Sequence, residues 1–306
     1  MKFIPKIDIH AHVTLYPDIV PANPYSGRPT LGDEGLLRMY DELGIGTGVL
    51  LPMITMAGGT VITTNEETMT IAERNPGRFV WFCNVDPRAL DNTPHANLSY
   101  LLEHYKKLGA RGVGEIMTNL YFDDPRTDNL FSHCEECDMP VLFHMSPATE
   151  YNYGLADDAG MPRLEKMLKK HPRLKIIGHS QPFWAEISAW DKDVCALTLE
   201  DRNRYPTGKV KEGALPRLLR EYENLYCDLS AGSGCNAMTR DPEYAVSFMT
   251  EFEDRILYGC DICADTNQHP YRFRDFFDGL RESGAISETV YYKIARGNAE
   301  KLLKLV

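Results

Sequence analysis

Residues 6–12 read KIDIHAH, an apolar run that closes on two histidines two positions apart. Side chains two apart on a β-strand point the same way, so His10 and His12 can present both imidazoles at one strand end. Further runs of this kind follow at 47–53 (TGVLLPM), 79–86 (FVWFCNVD), 111–117 (RGVGEIM) and 140–145 (PVLFHM). The series ends with 174–180 (LKIIGHS), 225–230 (LYCDLS) and 256–262 (ILYGCDI). The runs are near-continuously apolar rather than alternating, the pattern of parallel strands covered on both faces. Most are spaced by the ~30–40 residues of a βα unit.

Between the runs, apolar residues recur at helical spacing over 33–43, 64–74, 98–108, 161–171, 241–252, 271–281 and 298–305. Gly44, Pro76-Gly77 and Gly109 supply stop signals after the first three; Asp241-Pro242 supplies an N-cap and first-turn pair. Eight alternating strands and helices define an α/β architecture, and eight is the number that closes a (β/α)8 TIM barrel. An open doubly wound sheet is the alternative. It would gather polar residues near one switch point, whereas here they stand at the ends of strands along the whole chain. We therefore expect a single (β/α)8 barrel domain over residues 1–306. Its long connections after strands 1 (13–32) and 6 (181–211) are candidate lids at the C-terminal face.

The chain has 306 residues, 43% apolar and 25% charged, values of a globular protein with a sizeable core. The formal charge of −11 and the lack of any basic block argue against nucleic-acid or anionic-membrane partners. No apolar run reaches the ~18 residues of a membrane span, and residues 1–12 lack a signal-peptide core, so a cytoplasmic location is expected. The eight cysteines, including Cys134-x-x-Cys137 and Cys260-x-x-Cys263, are expected to be buried reduced thiols rather than a structural zinc site. Gly58-Gly59 and Gly232-Ser-Gly234 carry no nucleotide-binding fingerprint around them.

The chemistry concentrates at strand ends. His10 and His12 end strand 1, Glu115 strand 4, His144 strand 5, His179 strand 6 and Asp261 strand 8. Burying four imidazoles and two carboxylates together without a cation is costly, and a divalent metal balances their charge. Imidazole and carboxylate suit zinc first, with manganese also possible, as one ion or two.

These residues resemble the amidohydrolase superfamily: HxH after strand 1, His after strands 5 and 6, Asp after strand 8. The resemblance is strongest to the amidohydrolase-related branch that holds aminocarboxymuconate-semialdehyde decarboxylase and several lactonases. The stretches DIHAH, NPGRFVWFCNVDP, LGARGVGEI, NLYCDLS, LYGCD and RGNAEKLL carry it. Gly114-Glu115-Ile116 is similar to the strand-4 glutamate motif of TatD-like hydrolases. Many superfamily hydrolases carry a carboxylated lysine at the end of strand 4, and here Glu115 is the nearby candidate in its place. Asp261 is followed by Ile262-Cys263-Ala264-Asp265 rather than the Trp-Pro pair frequent in the branch.

The resemblance implies a metal-dependent hydrolase of a small carbonyl substrate, such as a lactone or amide. His10, His12, Glu115, His144, His179 and Asp261 would be the metal ligands. Asp261 would move the proton of an activated water, and His179 would serve as oxyanion stabiliser or proton donor. The alternative is a metal-dependent, non-oxidative decarboxylase in which Asp261 protonates a carbanion. A homo-oligomer is a further expectation from the resemblance. For substrate contacts, Phe183, Trp184, Tyr16, Met53 and Met145 either line an apolar pocket or pack loops. Arg88, His269, Arg272 and Arg274 either bind a carboxylate or serve the surface and helix caps.

Overall fold

In a computed structural model, which describes residues 3–23, 27–57 and 61–305, the expected runs pair side by side and in parallel. The strands are β1 (Lys6–Ala11), β2 (Ile45–Leu50), β3 (Phe79–Trp81), β4 (Val113–Ile116), β5 (Val141–Ser146), β6 (Leu155–Ala156), β7 (Ile176–His179), β8 (Leu225–Asp228) and β9 (Ile256–Leu257). One sheet runs β1-β2-β3 and the other β4-β5-β7-β8-β9, with the two-residue β6 beside β5. Two isolated parallel bridges join the sheets, Cys83 to Val113 and Ala11 to Ile262. Backbone bonds from Ile9 N to Tyr258 O (3.0 Å) and from Asp261 N to His10 O (2.8 Å) complete the second seam. Leaving β6 aside, eight strands close into a barrel, the (β/α)8 fold expected from the sequence.

Side chains alternate between two cores. Leu142 and Ile177 join Ile7, Ile9, Val49, Leu51, Phe82 and Leu257 in one cluster, with Ala299 and Leu303 of the C-terminal segment against it. Their neighbours Val141, Phe143 and Ile176 join the larger cluster beneath the helices. In β1, Ile7 and Ile9 share the first cluster while Asp8 meets the Tyr40 hydroxyl of helix Asp33–Leu43 (2.6 Å). A register shift between Asp8 and Ala11 then changes the alternation and lets His10 and His12 join His144 and His179 inside the mouth.

Several sequence expectations are corrected here. β3 and β9 are shorter than the apolar runs 79–86 and 256–262, because beyond Trp81 and Leu257 only isolated bridges persist. The 181–211 connection is not a plain loop: it holds helices Gln181–Ala185 and Leu199–Arg202 and a turn of 3-10 helix. Of the two alternatives for Phe183 and Trp184, lining a pocket or packing, the structure shows packing. Helix Gln181–Ala185 folds them into the core, where Phe183 lies against Gly178 so closely that a Cβ there would sit 2.2 Å from its ring. Six cysteines are buried, but Cys195 and Cys263 are exposed, because both stand on connections outside the strands. Gly58-Gly59 lie outside the described residues. No described helix is long and apolar enough to cross a membrane.

Candidate metal centre

All six strand-end residues named from the sequence converge at the mouth of the barrel. Groups of ligand atoms within 4.8 Å of one another are His10–His12–Glu115, His10–His179–Asp261 and Glu115–His144–His179. Glu115 divides its oxygens: Oε2 lies 3.5 Å from His10 Nε2 and 3.3 Å from His12 Nε2. Its Oε1 lies 2.8 Å from His144 Nδ1 and 3.7 Å from His179 Nε2. Asp261 does the same, with Oδ1 3.6 Å from His10 Nε2 and Oδ2 3.8 Å from His179 Nε2.

The outer nitrogens fix the tautomers. His10 Nδ1 donates to Asp228 Oδ2 (2.7 Å), and His12 Nδ1 donates to the carbonyl of Leu51 (3.0 Å). The Ser230 hydroxyl donates to Asp228 Oδ2 (2.7 Å), so its oxygen accepts from His179 Nδ1 (2.9 Å). All three rings therefore keep a proton on Nδ1 and turn Nε2 inward, the arrangement of metal-ligating histidines. The Nε2 atoms of His10 and His12 face each other across 2.9 Å. Two ring nitrogens at that distance need a positive charge between or beside them, a shared proton or a metal ion, and with Glu115 and Asp261 alongside the donor set fits a divalent metal. His144 differs: as it stands its Nδ1 donates to Glu115, and as a ligand it would offer the same atom deprotonated.

Charge follows the same logic. Burial pushes the Glu115 carboxyl up, but His10, His12 and His144 outweigh it and hold the group well below the carboxylate range. Burial likewise opposes ionisation of Asp228, and its contacts with His10 and His179 bring its pKa down. Burial favours neutral His10, yet Asp261, Glu115 and Asp228 hold its pKa well above the imidazole range. The carboxylates thus draw positive charge to the gap between the histidines.

Beside these groups opens a cavity of about 340 Å³, lined among others by His144, Tyr153, His179, Asn203, Tyr205, Ser233 and Asp261. Tyr153 lies over the His144 ring, centroids 4.3 Å apart. Three non-glycine residues in this lining have left-handed backbones: Ser180 (φ 103°), Ala231 (φ 61°) and Asp261 (φ 54°). Such conformations cost about 1–3 kcal/mol each and cluster at functional sites.

Of the substrate-contact candidates, Met145 reaches the cavity, and Tyr16 is half-exposed outside its lining. Arg88 is held by Asp86, Arg274 by Asp275 and the Glu42 carbonyl, and His269 by the Cys260 carbonyl. Asp228 and Ser230 were not singled out from the sequence. Their signal was the polar close of the run LYCDLS, which stops at the same barrel end as the histidines.

A closed barrel with histidines and acids gathered at its C-terminal mouth has the frame of an enzyme whose site fits a divalent metal. The amidohydrolase family model matches residues 7–305, and the chain belongs to that family. None of the curated proteins matches it. Among solved structures it is similar to 2,6-dihydroxybenzoate decarboxylase from Rhizobium (20% identity, TM-score 0.57, 98% of this chain and 99% of that one). It is also similar to a dihydroxybenzoic acid decarboxylase from Polaromonas sp. JS666 with bound manganese and the inhibitor 2-nitroresorcinol (21%, 0.59, 98% and 97%). A third is a probable 2-pyrone-4,6-dicarboxylic acid hydrolase from Acinetobacter baumannii with citric acid bound (14%, 0.60, 98% and 100%).

Proposed function

We propose that His10, His12, Glu115, His144, His179 and Asp261 hold a divalent ion, zinc or manganese, and that the chain uses it on a small carboxylic acid. The observation that carries this reading is the pair of inward Nε2 atoms of His10 and His12, 2.9 Å apart, flanked by Glu115 and Asp261. When bound, such an ion supplies Lewis acidity to a substrate oxygen.

Non-oxidative decarboxylation comes first. The decarboxylases among the similar structures support it, as does a manganese ion bound in one of them. The bond between the carboxylate carbon and its neighbour breaks, CO₂ leaves, and the electron pair stays on the remaining carbon. Asp261, at the cavity wall, delivers the proton to that carbon. His179, its Nδ1–H held by Ser230, turns Nε2 toward Asp261 at 3.8 Å and so positions that carboxyl group, while solvent entering the cavity returns the proton that Asp261 gives up.

Hydrolysis, the first expectation from the sequence, is the second reading. It is favoured by Asp261 standing at the cavity wall, where a water could give up its proton, and by the probable 2-pyrone-4,6-dicarboxylic acid hydrolase among the similar structures. Metal-loaded protein is incubated with hydroxybenzoic acids labelled at the carboxyl carbon and with a panel of lactones and amides. Labelled CO₂ establishes the lyase, ring opening or amide cleavage establishes the hydrolase, and neither product from any compound would count against both.

A further inference from the structure

The cavity beside the metal centre has no lysine or arginine in its described lining. It has instead the N-terminus of helix Ala231–Thr239, whose residues Ala231 and Ser233 line it beside His179 and Asp261. Helix N-termini carry unpaired N–H groups and a partial positive charge, and are usually closed by the N-cap side chain. Here the N-cap, Ser230, makes no capping bond, because its hydroxyl is committed to Asp228 and His179. Ala231 N is taken by the Cys260 carbonyl and Gly234 N by that of Ser230. Among the described residues, the N–H groups of Gly232 and Ser233 meet no acceptor.

A second observation is independent of the helix. Ser233 is only 3% exposed, and its hydroxyl has no hydrogen-bond partner. A buried orphan hydroxyl is unfavourable, and in the wall of a cavity it marks a place for an acceptor. Glycine at 232 keeps this place open: a Cβ there would come within 3.0 Å of the Tyr205 hydroxyl, which shares the same wall.

We propose that the helix N-terminus at Gly232 and Ser233 is a carboxylate subsite. The two N–H groups and the Ser233 hydroxyl donate to an anionic oxygen group of the substrate, while a second oxygen group of the same molecule faces the metal donors. The substrate is thereby assigned to small acids with two oxygen-bearing groups, at least one of them a carboxylate separate from the reacting centre. The inference rests on the metal reading for its second anchor, and the test separates the two.

Manganese binding is first measured by calorimetry for the wild type, Ser233→Ala and Ser233→Thr. The manganese-loaded proteins are then titrated with malonate, succinate and glutarate, and with acetate as the one-group control. At least one dicarboxylate should bind about tenfold more tightly than acetate. Ser233→Ala should remove most of that advantage, leaving manganese affinity unchanged, and Ser233→Thr should restore it. The subsite is overturned if no dicarboxylate exceeds acetate, or if Ser233→Ala keeps the full advantage. If manganese does not bind, the metal reading fails by itself. The same titrations on the ion-free chain then decide the subsite by whether Ser233→Ala weakens carboxylate binding.

Discussion

Asp228 accepts from His10 and from Ser230, and through Ser230 it sets the proton on His179. An asparagine there would replace one acceptor oxygen by a donor and disturb both tautomers. Asp228→Asn should therefore weaken zinc or manganese binding by about 10–100-fold, measured by competition with a chromophoric chelator. Asp261→Asn is expected to act differently. Asp261 is a quarter exposed at the cavity wall, and other donors remain, so the variant should keep its fold and its metal. Its turnover should fall by about 10²–10⁴-fold, read as kcat on whichever labelled acid proves to be the substrate. The six strand-end residues were legible because each closes an apolar run at the same end. Asp228 was not, since its part depends on a histidine far away in the chain that folding alone brings to 2.7 Å.

At the scale of elements, the strand order and most helices were legible, because apolar periodicity and Pro/Gly punctuation carry both. Helix 33–43 was found with its glycine stop, and Gly44 does adopt the left-handed C-cap. In the connection after β7, Phe183 and Trp184 leave lining and packing equally open in the sequence; a five-residue helix buries both, and the Trp184 indole donates to the Asp228 carbonyl (2.9 Å). That packing ties helix Gln181–Ala185 to the strand that carries Asp228, the partner of His10 in the candidate metal centre. Gly178→Ala would place a methyl 2.2 Å from the Phe183 ring and force this helix outward. The expected cost is about 1–3 kcal/mol in urea unfolding, together with weakened metal affinity. A stability loss with unchanged metal binding would show that the helix does not support the centre.

For the whole molecule, closure was predictable from the number eight, while the seams were not. They rest on single bridges at Cys83–Val113 and Ala11–Ile262 rather than on long ladders. The second seam passes through the site, since Asp261 N donates to the carbonyl of His10. A cation held by His10, His12 and Asp261 would tie the first and last strands together. Its removal should then destabilise the barrel as a unit: at a free-ion concentration of about 1,000 Kd, binding contributes about 4 kcal/mol. Chelation should lower Tm by several degrees, and restoring the ion should reverse the shift.

Metal analysis of protein prepared without chelator bears most directly on all of this. We expect about one equivalent or more of zinc or manganese per chain, falling to background in a His10→Ala/His12→Ala double variant that keeps its far-UV circular dichroism. Folded wild-type protein that neither contains nor takes up a divalent ion, or a double variant that binds it as well as the wild type does, would contradict the assignment of this mouth as a metal centre.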